Sequence, residues 1–230
     1  RMDMPWQDVR PDHKVIGART RAIGLLALGR PMVIVASARA LLRKVAPASG
    51  NVFSPLVITR EDGVVDAATG EPIAYEDVAA QLVSRGYERL GELDGPGTFT
   101  QQGDTIDVFG SGMTAPVRVE FFDDEVDAMG EFDVTTQRRT QNVKSLTVLP
   151  AAEVLPALSD GGREKMLERL GRAAQKIAKK AEDSPIVQTL RSDIERLRND
   201  LPLGGMDRYL AACYPDEVCA LDYLSPDTLI

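Results

Sequence analysis

The chain has 230 residues, is 43% hydrophobic and carries a formal net charge of -8 at pH 7. This apolar content is enough for a hydrophobic core, and the length suits one large domain or two to three small ones. No run of 18 or more apolar residues is present and the first residues lack the order of a signal peptide, so we expect a soluble, cytoplasmic protein.

The first interpretable stretch is apolar and β-branched from Pro31 to Val35 and is followed by a helix-forming stretch from Ser37 to Arg43. This pattern predicts a buried strand and then a short helix, as in an α/β layer. The looser stretch from Pro47 to Gly70, which is rich in Pro, Gly and acidic residues, is the first candidate domain boundary.

The middle of the chain predicts one helix and an antiparallel meander. Tyr75 to Arg85 has two acids in its first turn and Gly86 after its end, as a helix requires. We place its apolar face at Val78, Leu82 and Val83. Short β-rich runs separated by turn residues follow at Ile106–Phe109, Val117–Phe122, Val126–Met129 and Leu146–Val148. One helix with about four strands makes a small α+β domain.

A second boundary is expected at residues 150–153, and a helical hairpin follows it. Apolar residues recur at helical spacing in two stripes: Met166, Leu170, Ala173, Ile177 and Ala181, then Val187, Leu190, Ile194, Leu197 and Leu201. Ser184-Pro185 supplies an N-cap and a first helical position between them. The residues from Leu221 to Ile230 resemble the opening of another buried strand, which suggests a fragment of a longer protein.

Side-chain alternation in the run from Val117 to Phe122 points to a binding surface. With a period of two, the apolar side chains of Val117, Val119 and Phe121 share one face of a sheet. Arg118, Glu120 and Phe122 then share the opposite face. An arginine beside an exposed aromatic ring is typical of a protein interface, although Phe122 covered by a neighbouring domain and Arg118 paired with local carboxylates is an equal alternative at this point.

The surroundings of this strand are acidic. Residues 104–137 contain nine Asp or Glu and one basic residue, Arg118. A partner that binds there should therefore be basic and should not be a nucleic acid.

Sites for chemistry are poorly supported. The chain has no G-x-x-x-x-G-K-[ST] phosphate loop, and Gly110-Ser111-Gly112 reads as a hairpin turn. The lone His13 reads as a surface residue, and Cys213 and Cys219 read as two free buried thiols. The residues Asp123, Asp124, Glu125 and Asp127 could be imagined as a Mg²⁺ or Ca²⁺ site, yet they read better as a charged turn. We expect no catalytic residue, no cofactor and no metal.

Residues 163–200 hold ten Lys or Arg and seven Asp or Glu, which leaves a weak DNA-facing role for the hairpin open.

Four segments in the middle of the chain form a recognisable set: GYER at 86–89, GPGTFTQQGDTIDVF at 95–109, PVRVEFFDDEVDAMGEFDVTTQR at 116–138 and LPAAE at 149–153. Together they resemble a known family, the bacterial transcription-repair coupling factors (Mfd), in their UvrB-homology region. VIVASARALLRKV at 33–45, GGMDRYL at 204–210 and LDYLSPDTLI at 221–230 extend the resemblance over nearly the whole chain. The continuation after residue 35 and the run FDVTTQR favour Mfd over UvrB itself.

The resemblance implies a split, degenerate helicase-like α/β domain of the UvrB domain 1 type, formed by residues 1–63 and 155–230. A small α+β domain with an antiparallel sheet, residues 64–154, is inserted between them. In the family the inserted domain binds UvrA and catalyses no reaction, while RNA polymerase and DNA are bound through other domains. The alternative reading is a fragment of a UvrB-like DNA-binding helicase core.

The same resemblance carries the family's docking residues over to Arg118 and Phe122. A further family arginine corresponds to Gln102 before Gly103, and the missing charge there puts that contact in doubt. Glu120 lies between the two anchor positions and completes the candidate set.

Overall fold

The computed structural model describes residues 13–48, 52–201, 203–216, 218–226 and 228, and all structural statements refer to these residues. Helices and β-sheets are both present, which makes the described chain a mixed α/β structure. In chain order the helices are α1 (His13–Ala27), α2 (Ala38–Leu41), α3 (Tyr75–Ser84), α4 (Gly162–Ala178), α5 (Pro185–Arg198) and α6 (Leu210–Cys213). The strands are β1 (Lys44–Val45), β2 (Leu56–Thr59), β3 (Gly63–Asp66), β4 (Pro72–Ile73), β5 (Glu88–Arg89), β6 (Thr98–Gln102), β7 (Thr105–Phe109), β8 (Val117–Phe122), β9 (Glu125–Phe132), β10 (Arg139–Asn142), β11 (Ser145–Val148) and β12 (Val218–Cys219). None of the helices in these ranges combines the length and the apolarity needed to cross a membrane.

Buried apolar side chains form two separate clusters. The first cluster draws its residues from 23–53 and from 154–214, on both sides of the middle of the chain. The second cluster draws its residues from 56–148 alone. The chain therefore passes from one core to the other near Ser54 and returns near Ala152.

The second cluster lies between two sheets and α3. A six-stranded sheet has the order β10-β9-β8-β7-β6-β5 and is antiparallel except for the β5–β6 pair. A four-stranded sheet has the order β11-β2-β3-β4. Helix α3 buries Val78 and Leu82 completely and ends before Gly86, whose φ of 84° is a conformation that glycine adopts without strain.

The predicted helices and strands of residues 75–148 are confirmed, with corrections. The run Leu146–Val148 is a strand, but it pairs with β2 in the four-stranded sheet and does not continue the meander. Val83 is 54% exposed and does not share the buried face of α3. Strands β5, β6 and β10 and the β2–β3 hairpin were not predicted. The hairpin falls within the stretch interpreted as a loose boundary.

The predicted helical hairpin of residues 162–198 is confirmed. Ser184 caps α5 by accepting a hydrogen bond from the backbone N–H of Ile186, and Pro185 occupies the first helical position. The buried stripe of α4 consists of Met166, Leu170 and Ala174. The predicted core residue Ala173 is exposed, and its neighbour Ala174 is buried in its place. Leu201 is 51% exposed because it lies beyond the end of α5.

The predicted buried strand from Pro31 to Val35 is wrong. These residues form no strand, and Val33 and Val35 are 94% and 96% exposed. No described residue pairs with their backbone in a sheet. The helix predicted after them is present as α2, with Ser37 as its N-cap.

Residues 220–223 form a 3₁₀ helix and residues 224–226 and 228 are in no strand, so the predicted strand is absent there, while residues 227, 229 and 230 lie outside the described residues. Helix α1 was not predicted.

Candidate functional site

Strand β8 alternates between buried and exposed side chains as predicted. Val117 and Val119 are fully buried and Phe121 is 6% exposed, so these three form the inner face. On the outer face the ring of Phe122 is 78% exposed. The one register shift on β8, between Glu120 and Phe121, leaves this alternation intact because the extra residue, Asp127, lies on β9. Phe122 is therefore an apolar side chain that the described residues leave in solvent.

Strand pairing brings all four candidate residues to one face of the six-stranded sheet. Glu120 lies opposite Thr105, which lies opposite Gln102, and directly opposed residues share a face. Arg118 and Phe122 are the outward residues before and after Glu120 on the same strand. We define the docking face as Gln102, Arg118, Glu120 and Phe122.

Three neighbouring side chains outside the docking face, those of Asp107, Gln137 and Phe132, hold Arg118 in place. Its Nε and Nη2 donate to the two carboxylate oxygens of Asp107, each at 2.7 Å, and Nη2 also donates to Oε1 of Gln137 at 2.8 Å. The guanidinium lies 4.5 Å from the ring centroid of Phe132, in cation–π contact. The hydrogen bonds to Asp107 are the main cause that raises the pKa of Arg118. Arg118 thus pairs with a local carboxylate while its side chain stays 28% exposed.

The loop between β9 and β10 places Gln137 over Arg118. Gln137 has a φ of 58°, which is unusual for a residue with a side chain. Its conformation is fixed by backbone hydrogen bonding to Asp133 and by donation from its side-chain amide to the carbonyl oxygen of Val134. The backbone hydrogen bond from Thr136 lowers the pKa of Asp133, so this carboxylate stays charged and holds the turn.

Gly130 leaves room for the side chain of Arg139 and for the neighbouring backbone of β10. It lies directly opposite Arg118, and a Cβ at this position would lie 2.7 Å from the backbone oxygen of Gln141 and 2.8 Å from Cδ of Arg139. Arg139 then pairs with the carboxylate of Glu120 at 2.6 Å. Both partners are exposed, so the pair contributes little to stability but orients Glu120.

Sequence reasoning missed the residues that hold the docking face in place. Asp107, Phe132, Gln137 and Tyr75 each contact a candidate residue or its neighbour from another strand, loop or helix. Asp107 alone had a local signal, since a carboxylate in the middle of an otherwise apolar strand is uncommon unless it is paired. The other three depend on strand register.

The alternative sites gain no support. Among the described residues, no three His, Cys, Asp or Glu side chains lie close enough together to hold a metal ion. Within the proposed acidic group, Asp124 instead accepts a hydrogen bond from the backbone N–H of Tyr75 at 2.8 Å. Ser111 donates to the carbonyl oxygen of Gly17, and its backbone N–H donates to the hydroxyl of Tyr87, so this glycine cluster packs inside the protein.

Cys213 is buried as predicted, whereas Cys219 is only half-buried, which corrects the expectation of two buried thiols. The side chain of His13 lies outside the described residues. On the basic hairpin, Arg163, Arg172 and Arg198 pair with Asp200, Glu168 and Glu195 of the same region, as on an ordinary solvated surface.

The chain is similar to one known family model and to several known proteins. Residues 65–154 match the family model of the UvrB interaction domain. The chain is 33% identical over 214 residues to the transcription-repair-coupling factor of Myxococcus xanthus, covering 93% of this chain and 16% of that protein. It is 28% identical to the transcription-repair-coupling factor of Bacillus subtilis, covering 92% of this chain and 17% of the relative. It is also 31% identical over 179 residues to the UvrABC system protein B of Burkholderia mallei, covering 73% of this chain and 26% of the relative. The chain spans about a sixth of the length of the curated coupling factors it matches.

Proposed function

We propose that this chain is a non-catalytic module that binds UvrA. The premise is that residues 65–154 belong to the UvrB interaction domain family and that the chain is related to transcription-repair-coupling factors. Binding would recruit UvrA to sites where a coupling factor acts in transcription-coupled nucleotide excision repair. Contacts with RNA polymerase and with DNA would be made by other parts of the parent protein, in the cytoplasm.

The observation that carries this proposal is the exposed ring of Phe122 on an ordered polar face. Fully burying a phenylalanine side chain contributes about 1.5 to 3 kcal/mol, and a ring that is 78% exposed has most of that contribution still to gain. Aromatic rings and arginines are enriched at interface hot spots, and Phe122 shares its face of the sheet with Arg118, which its neighbours hold in place. Phe122 is therefore the proposed central contact with UvrA.

Arg118 has a supporting role in this proposal. The two bonds to Asp107 fix the plane of its guanidinium, so less side-chain entropy is lost when a partner accepts a hydrogen bond from it. Glu120 is oriented by Arg139 in the same way. Gln102 is exposed at the end of β6 and offers an amide where the resemblance implies an arginine.

We also propose the domain organisation that the resemblance implies, a split α/β domain of the UvrB domain 1 type with an inserted α+β domain. The separation of the two hydrophobic clusters supports it, because each cluster draws on one of the proposed domains apart from Leu56, Ile58 and Val154, which lie near the boundaries. Strands β2 and β3 pair with each other and β2 pairs with β11, which favours a first boundary near residue 54 over one near residue 63.

The proposal is tested by titrating purified UvrA with the chain and with Phe122→Ala. We expect the variant to bind about 10- to 1000-fold more weakly, the range of an interface hot spot, with an unchanged free energy of unfolding. Because the docking face is surrounded by carboxylates, the affinity of the unsubstituted chain should also fall as the salt concentration rises.

The matched control is Val35→Ala, which truncates an apolar side chain that is 96% exposed but lies outside all three described sheets. This variant should bind UvrA as the unsubstituted chain does. Equal binding by the chain and by Phe122→Ala would remove the basis of the proposal.

A further inference from the structure

Tyr75 contacts both turns at the end of the sheet where Phe122 lies. It is the first residue of α3 and is half-buried. One turn, Gln102–Asp104, joins β6 to β7, and the other, Phe122–Glu125, joins β8 to β9. The backbone N–H of Phe121 donates to the carbonyl oxygen of Asp104 at 2.8 Å, so the two turns are adjacent.

The hydroxyl of Tyr75 holds the first turn. It donates to the carbonyl oxygen of Gly103, and it accepts a hydrogen bond from Nε2 of Gln101 at 3.0 Å. Gly103 has a φ of 54°, and it is the residue that follows Gln102 of the docking face. A single phenol oxygen therefore fixes the backbone on which Gln102 is carried.

The ring and the backbone N–H of Tyr75 hold the second turn. The ring packs on that of Phe121, with centroids 4.8 Å apart and planes tilted by 50°. The N–H donates to Oδ1 of Asp124 at 2.8 Å. Ala74, at the N-cap of α3, makes no side-chain cap, so Asp124 satisfies a free N–H of the helix from another part of the chain. Asp123, between Phe122 and Asp124, has a φ of 58°, and these contacts hold it in that conformation.

We propose that Tyr75 joins the two turns into one preformed docking ledge, which consists of Gln102–Asp104 and Phe122–Glu125. A partner protein binds this ledge as a unit, and the partner's surface has an apolar pocket for Phe122 with basic side chains around its edge. The inference rests on the proposed function and adds to it a positioning residue and the chemistry of the partner surface. A ring at the tip of a loose turn would lose conformational entropy on binding, whereas a fixed turn loses less.

The charge of the ledge specifies the rim of the partner's pocket. Asp104, Asp123, Asp124 and Glu125 are exposed and surround Phe122 in sequence and in space, and the two ledge segments contain no basic residue. A partner with an apolar pocket but an acidic rim would be repelled, so the fit requires lysine or arginine around the pocket.

The test is a double-mutant cycle on the affinity for UvrA, with Tyr75→Phe, Phe122→Ala and the combined variant. Tyr75→Phe keeps the ring on Phe121 and removes only the hydroxyl that holds Gly103. We expect it to weaken binding about 3- to 10-fold in the unsubstituted chain, as for one or two hydrogen bonds, and less than about 2-fold when Phe122 is already alanine. The amide of Gly103 should also exchange faster in Tyr75→Phe in the absence of UvrA.

The matched control is Tyr87→Phe, which removes a buried hydroxyl bonded to the carbonyl oxygen of Leu149 and to the N–H of Ser111, away from the ledge. It should lower stability without changing the affinity for UvrA. An equal loss for Tyr75→Phe in both backgrounds would show a merely structural role and overturn the inference while leaving the proposed function intact. Unchanged binding by Phe122→Ala alone would overturn the proposed function and the inference with it.

Discussion

Two stretches of the chain that both contain β-branched residues have different structures. Pro31–Val35 and Val117–Phe122 both have the composition of a strand, but only the second forms one. Val119 is fully buried between β7 and β9, whereas Val33 and Val35 are almost completely exposed. Composition alone therefore gives a segment a preference for an extended backbone. Pairing with neighbouring strands decides whether that segment joins a sheet.

The difference also separates two kinds of exposed apolar side chain. Val33 and Val35 lie on a segment without strand partners among the described residues, so their exposure says little about binding. Phe122 is exposed at the end of a strand that is paired on both sides and is followed by a turn fixed to Tyr75. An exposed ring on an ordered backbone is the better candidate for a docking residue, since its orientation is already set.

The two stretches should respond differently to the loss of a valine side chain. Val119→Ala removes buried methyl groups and leaves a cavity, so we expect the free energy of unfolding to fall by about 2 to 3 kcal/mol. Val35→Ala should change it by less than about 0.5 kcal/mol, as at an ordinary surface position. Urea unfolding of the two variants measures both values, and a comparable loss for Val35→Ala would mean that the Pro31–Val35 segment is buried after all.

A smaller effect on stability is expected at Glu153, at the junction between the two cores. Glu153 is 4% exposed, and its Oε2 accepts a hydrogen bond from Nε of Arg19 at 3.0 Å. Burial raises the pKa of Glu153 above its ordinary value of 4.5, and the charge of Arg19 offsets only part of this increase. The charged and titratable groups that face it are Arg19, Arg43, Lys44, Asp207, Arg208, Tyr214 and Tyr223.

The sign of the pH effect follows from the raised pKa. The folded state favours the protonated carboxyl, so this contribution to stability is full below pH 4.5 and is lost as the pH rises through the pKa of the folded state. Glu153→Gln cannot titrate at this position. The free energy of unfolding of the unsubstituted chain, minus that of Glu153→Gln, should therefore fall in urea titrations as the pH rises above 4.5. A difference that rises with pH would show that the ion pair with Arg19 outweighs burial.

Local patterns predicted strand β8, which carries three of the four docking-face residues, and helices α3 and α5. The alternation from Val117 to Phe122, the acids at the start of α3 and the Ser184-Pro185 cap each act within a few residues, and each predicted element is present. Helix α1 was missed because Gly17, Thr20 and Gly24 weaken its helical signal. The β2–β3 hairpin was missed because Pro55, Gly63 and Gly70 were interpreted as linker residues, whereas they flank or begin its strands.

The arrangement around the docking face could not be predicted in the same way. Arg118 meets Asp107 across two strands, Gln137 reaches Arg118 from a loop 19 residues away, and Tyr75 reaches Asp124 over 49 residues. These contacts depend on register and on the packing of α3 against the sheet, and neither is written in local spacing. The sequence was therefore sufficient for the strand and its two faces, and the structure was needed for the residues that hold them.

Amide hydrogen exchange of the full chain, with and without UvrA, shows whether UvrA binds the ledge around Phe122. We expect binding to slow exchange at Gln102–Asp104 and Phe122–Glu125 and to leave the Pro31–Val35 segment and helices α4 and α5 unchanged. Protection of that segment or of the helical hairpin, with unchanged exchange in the ledge, would place the binding surface elsewhere.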